Sequence, residues 1–282
     1  MAIFTSLAMA AMCALTVSAR SGLHVPGGMV FHMASSAAKD GALASRNAPH
    51  VIKLAMAGDG AVQIPVETDP DRTEADDAMD RVRAHVPEDI FDYFDTFLYV
   101  SKASHGPLAQ HMYIFHKDDQ GDIAFEQRFA VSTGRERHEK YFTTTPAGLF
   151  ELDPNRFERH HYSRTWHARM PWAMFLNASI RGRMTGIALH SADVHVAQLG
   201  RRASGGCVRL PPRKAAELFR RFQAEERGFV PTFAYDEAAH RTSRTGDVVR
   251  DADGRPALYY GYKVLVVIEN YPGGPLLVAG LA

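Results

Sequence analysis

From Phe97 onward, the pattern is one of short apolar, β-like runs: FLYVS (97–101), HMYIFH (111–116), IAFEQRFAVS (123–132), AGLFEL (147–152) and GIALHS (186–191). Turn-forming stretches such as KDDQGD (117–122) separate them. Aromatic and β-branched residues in runs this short, bounded by Gly, Pro and Asp, predict strands. After Leu210 the period changes. Ala215, Leu218, Phe219 and Phe222 recur at helical spacing, with Pro211 and Pro212 placed to start a helix and Gly228 placed to end it. A second, short helix is expected in PEDIFDYFDTF (87–97), with Pro87 in its first turn and acidic residues at its amino end. The polar stretch 237–256 precedes YKVLVVIEN (262–270), which reads as a late buried strand. The pattern contains no internal repeat. The expected fold class is mostly β (α+β), with a helix following the strand that starts near residue 208.

The region before Phe97 differs. Residues 1–19 carry no charge and end in Val17-Ser18-Ala19, a small-x-small pattern that predicts a cleaved signal peptide and an exported protein of the periplasm or cell envelope. An uncleaved leader would instead be a membrane tether. Residues 20–85 are rich in Ala, Gly, Ser, Pro and Asp and end in an acidic run, so they are expected to be a tether or poorly ordered lead-in. The remainder, 86–282, is expected to be the functional domain. Its apolar share is ordinary for a packed core, because 46% of the whole chain is hydrophobic. With 32 basic and 32 acidic side chains the chain has no single-sign field, so nucleic acid is not an expected partner.

Two cysteines are present, and Cys13 lies in the leader. Cys207, in RRASGGCVRLPPR (201–213), is then left without a partner in an oxidising compartment. It is either a small core residue or a reactive thiol. His190 ends a predicted strand 17 positions earlier, and the loop between is polar, basic and glycine-rich. A thiol needs a base or positive surroundings to become a good nucleophile, and His190, Arg201, Arg202 and Arg209 supply both. Amides of Gly206 and Cys207 are candidates for holding a developing oxyanion, since Gly205 and Gly206 leave the backbone bare.

The stretch GIALHSADVHVAQLGRRASGGCVRL resembles the active-site signature of the L,D-transpeptidase (YkuD-type) catalytic domain, a strand-end histidine followed by S-x-G-C-x-R. Ser204, Gly206, Cys207 and Arg209 match it. Upstream, LYVSK, FAVSTGR and TTPAGLFEL resemble that domain's early strands and its T-P-x-G-x-F segment, carried by Thr145, Pro146, Gly148 and Phe150. The resemblance covers about 97–222 and implies a β-sandwich-like catalytic domain with a C-terminal extension. It implies Cys207 as nucleophile, His190 as general base, Ser191 as backbone orienter of that base, and Ser204, Gly206 and Arg209 as oxyanion or substrate-binding residues. The implied reaction is cofactor-free transpeptidation of peptidoglycan stem peptides through a thioester, with carbapenem-type β-lactams as inhibitors. An L,D-carboxypeptidase, a wall-anchoring transferase or a non-catalytic wall-binding module on the same fold are the alternatives. Gly205 departs from the pattern, because many members carry a second histidine there.

Two further readings compete. His160, His161 and His167 in ERHHYSRTWHARMPW are possible zinc ligands, but no H-E-x-x-H helix or Cys pair accompanies them, and the segment is expected to be a polar loop near a cleft. Trp166, Trp172 and Phe175 either pack in the core or line a channel. A thiol redox protein would normally carry C-x-x-C, which is missing.

Overall fold

The computed structural model describes residues 70–118, 120–137 and 143–273. The expected signal peptide and most of the expected lead-in lie outside them. Helices α1 (Pro70–His85) and α2 (Glu88–Phe91) come first. They lead into β1 (Thr96–Ser101), β2 (His111–Lys117), β3 (Ile123–Ala130), β4 (Gly148–Ser163) and β5 (Ala168–Leu176). Two-residue strands β6 (Ser179–Ile180) and β7 (Arg183–Met184) precede β8 (Ala188–Ser191), a 3₁₀ segment (Asp193–Gln198), β9 (Val208–Leu210) and α3 (Pro212–Glu225). The chain closes with β10 (Arg227–Pro231), β11 (Tyr235–Asp236), β12 (Arg241–Thr242), β13 (Leu258–Tyr262) and β14 (Val264–Glu269). This is the expected mostly β, α+β class.

Eight strands form one mixed sheet in the order β3-β2-β1-β14-β4-β5-β8-β9. Its centre is the late apolar run: β14 pairs parallel with β1 and antiparallel with β4. Both faces of this centre are covered. Along β1, Leu98 and Val100 join one core cluster with Leu218 and Phe222 of α3, while Phe97 and Tyr99 join the other with Ala78 and Val82 of α1. Burial on both faces removes any polar alternation, which is why VLVVI reads as a continuous apolar run.

Three expectations change. The lead-in does not extend to residue 85, because 70–85 is helix α1. Ala75, Ala78 and Val82 recur along one face and are buried, and Arg81 is ion-paired to Glu269 at 2.7 Å. Acidic residues on its other faces mask that stripe in the sequence. Gly228 does not end α3, which stops at Glu225, and the glycine lies inside β10. The segment around 158–172 is not a loop. It is the β4–β5 hairpin, whose register runs from Phe157↔Met174 to Ser163↔Ala168.

Candidate active site

The parallel pairing of β8 with β9 sets the site. Its register is Leu189↔Val208, His190↔Arg209 and Ser191↔Leu210. Side chains alternate across a strand, so Leu189, Val208 and Leu210 enter the core beneath α3. Cys207, one residue before β9, falls on the opposite face with Arg209, and packs beside Met170, Ala173, Phe175 and Ala188. Register thus places the thiol diagonally across from His190, closing the 17-residue gap in the sequence. Both residues line one cavity of about 150 Å³, together with Arg135, Trp166, Arg169 and Arg209.

His190 is buried, and its Nδ1 lies 2.8 Å from the carbonyl oxygen of Ser191. A carbonyl can only accept, so Nδ1 carries the proton and Nε2 keeps its lone pair. Burial drives the imidazole pKa down to about 4, opposed by the Ser191 carbonyl and helped by the positive charge of Arg209. The ring is therefore neutral at physiological pH.

Burial also pushes the Cys207 thiol up, against smaller lowering effects from the Ala188 backbone and Arg209. Its Sγ donates a long hydrogen bond to the Gly186 carbonyl at 3.6 Å. The resting pair is thus thiol and neutral imidazole, rather than the enriched thiolate that the nearby arginines led one to expect. The arginines are otherwise engaged. Arg202 donates to the Lys102 carbonyl (2.7 Å) and to Asn270 (2.6 Å), Arg201 is exposed, and Arg209 donates to Gln198 at 2.6 Å.

The turn before the cysteine is held by side-chain hydroxyls. Ser204 Oγ donates to the Cys207 carbonyl at 2.5 Å and accepts from the Gly206 amide at 3.0 Å. Gly206 has φ +117°, a conformation that favours glycine. Its amide is committed to Ser204, which leaves the Cys207 amide as the remaining member of the pair expected to face an oxyanion. Thr145 Oγ1 donates to the Gly206 carbonyl and accepts from the Gly134 amide, both at 2.7 Å. Lys102 in turn donates to the Thr145 carbonyl at 2.6 Å and pairs with Glu136. The T-P-x-G-x-F segment therefore props the cysteine turn from behind.

A family model of the L,D-transpeptidase catalytic domain, YkuD, matches residues 95–250. The chain belongs to this family. The L,D-transpeptidase domain of this chain is also similar to several solved structures. An L,D-transpeptidase from Stackebrandtia nassauensis is 19% identical, with 47% of this chain and 56% of that one covered and a TM-score of 0.31. LdtMt1, solved in complex with imipenem, is 16% identical over 62% and 59%, with a TM-score of 0.35. The helical cell shape determining protein Pgp2 from Campylobacter jejuni is 15% identical over 69% and 55%, with a TM-score of 0.36. The chain spans little more than half the length of each. No curated protein sequence matches it.

Within the L,D-transpeptidase domain, four of the expected site residues, Cys207, His190, Ser204 and Arg209, line the cavity, while Ser191 and Gly206 join them through hydrogen bonds to His190 and Ser204. None of the three histidines of the other reading lines the cavity, although His161 is near enough to His190 for its charge to lower that imidazole further. His161 is bound to Glu158 at 2.6 Å and sits edge-on to Phe175, and His160 pairs with Pro171 along the hairpin. Among the described residues no group of three or more His, Cys, Asp or Glu is placed to hold a metal. Trp172 packs edge-on to Phe219, and Phe175 is buried, whereas Trp166 lines the cavity. Arg135 and Arg169 were not foreseen as site residues, because only the folding of β5 and of the 131–137 segment onto the cysteine turn brings them there.

Proposed function

We propose that this protein is a cysteine-dependent peptidoglycan L,D-transpeptidase acting on tetrapeptide stems. The observation that carries the reading is a neutral His190, its Nδ1 proton fixed on the Ser191 carbonyl, sharing one cavity with the Cys207 thiol. Sγ attacks the carbonyl of the stem's diamino-acid residue as the thiol proton passes to His190 Nε2. The Cys207 amide stabilises the oxyanion of the tetrahedral intermediate. Collapse breaks the peptide bond, the terminal D-residue departs as an amine carrying the proton from His190, and a thioester remains. An acceptor amine then attacks the thioester carbonyl, giving its proton to His190, which returns it to the departing sulfur. Arg209 serves a stem carboxylate.

The uncharged leader ending in Val17-Ser18-Ala19 supports an exported protein whose mature chain begins near Arg20. Carbapenems, which present a strained acyl carbonyl, are expected to acylate the same sulfur. Incubation with purified tetrapeptide muropeptides, followed by mass analysis, tests the reaction. Cross-linked dimers absent with Cys207→Ala support transpeptidation, tripeptides alone assign an L,D-carboxypeptidase, and unchanged stems refute catalysis and leave a wall-binding module.

A further inference from the structure

The departure at Gly205 has a physical counterpart across the cavity. A Cβ built on Gly205 would lie 2.7 Å from Trp166 Cε2 and 3.0 Å from both Cζ2 and Nε1. Such distances are below van der Waals contact, and the atoms met belong to a rigid ring rather than the end of a flexible chain. The backbone of Gly205 does not lie in the left-handed region, so glycine is required there for space and not for conformation. The indole therefore occupies the volume that any larger residue at 205 would need. Trp166 itself stands in the turn between β4 and β5, where its amide donates to Ser163 Oγ at 3.3 Å. The Arg135 guanidinium lies 5.1 Å from the indole centroid and donates to the Ser204 carbonyl at 3.3 Å, so ring and cysteine turn share a clamp.

The size of the cavity gives this packing a consequence. At about 150 Å³ it holds roughly half of what sites for drug-sized ligands enclose, which starts near 300 Å³. The indole is the largest side chain lining it, and it stands on a hairpin turn between two strands of the sheet.

We propose that Trp166, seated on Gly205, is a specificity-determining residue that limits the size of the group admitted beside Cys207. This rests on Cys207 being the reacting residue. A bulky electrophile reaches the sulfur only when the indole leaves the glycine, whereas a small one enters past it. Removing the indole widens the site without touching His190 or Cys207.

The test compares alkylation of Cys207 by iodoacetamide and by N-(1-pyrenyl)maleimide in the full-length protein, read by mass of the proteolytic peptide that carries Cys207, which separates it from Cys13. Trp166→Ala should raise the ratio of pyrenyl to iodoacetamide rates by about tenfold or more, the scale on which steric fit discriminates. Gly205→Ala supplies a second arm. In a Trp172→Phe background, where Trp166 is the sole tryptophan, it should increase acrylamide quenching of the indole, and its cost in thermal stability should vanish once Trp166 is alanine. An unchanged rate ratio, thiols that neither reagent labels in either protein, or a Gly205→Ala penalty that persists without the indole would overturn the proposal. Stems and carbapenem left untouched by every variant, with the rate ratio still shifted, would refute the transpeptidase reading alone.

Discussion

Lowering the pH from 7 to 5 should barely slow acylation of Cys207. With His190 at about 4, the imidazole at pH 5 is still about nine-tenths neutral, so its capacity to accept the thiol proton falls by only about a tenth. An imidazole at the ordinary 6.5 would go from about three-quarters neutral to about 3%, a roughly 25-fold loss over the same interval. A mechanism drawing on preformed thiolate would lose about a hundredfold, because thiolate falls tenfold per pH unit below the thiol pKa. The three cases are well separated. The cause of the first is burial of His190 at the β8–β9 edge, and activity should be lost only as pH falls through about 4. Intact-mass measurement of single-turnover carbapenem adducts between pH 4 and 8, with circular dichroism to confirm the fold at each pH, gives the profile. Iodoacetamide serves as a second electrophile. A fall of more than tenfold between pH 7 and 5 in a folded protein would refute the buried neutral base.

Three other outcomes follow from the packing. Ser204→Ala leaves the Gly206 amide without its acceptor and frees the Cys207 carbonyl, so stability should drop by about 1–3 kcal/mol and acylation should slow, measured by denaturant melts and adduct formation. Glu151 is buried in β4 with its carboxyl pushed up to about 8, so the folded state keeps a proton that the unfolded state, near 4.5, releases. Its contribution is fully present below about pH 4.5 and lost as pH rises through 8, on the order of 5 kcal/mol in all. Glu151→Gln should therefore gain on the native protein in melting temperature from pH 5 to pH 8, and a constant gap would contradict the sign. Phe222→Ala empties a fully buried position beneath α3 and should cost about 3–5 kcal/mol, visible as a melting point lower by roughly 10 °C.

What the chain declares by itself is whatever depends on local period and on residues close in sequence. The runs at 97–101 and 111–116 are strands because their short length, aromatic and β-branched composition and flanking turns permit little else, and Ala215, Leu218, Phe219 and Phe222 define α3 by spacing alone. The turn of Ser204, Gly206 and Cys207 was legible through its resemblance to the family signature, because the three lie within four consecutive residues and the motif that joins them is written locally. Helix α1 was hidden because its buried face consists mainly of alanines among acidic residues, too weak a stripe to separate from a solvated tail. The β4–β5 hairpin was hidden because its outer positions carry Arg and His, which hold a strand only once a register of partners exists. The protonation states ran against the sequence, since four basic residues near a thiol say nothing of which ones face it, and burial outweighs the one that does. Gly205 was visible as a departure but not as a fit, because the ring that explains it comes from the other end of a hairpin 39 positions earlier. Contacts of that range are decided by strand register and by which volumes are already filled, quantities that exist only in the folded chain.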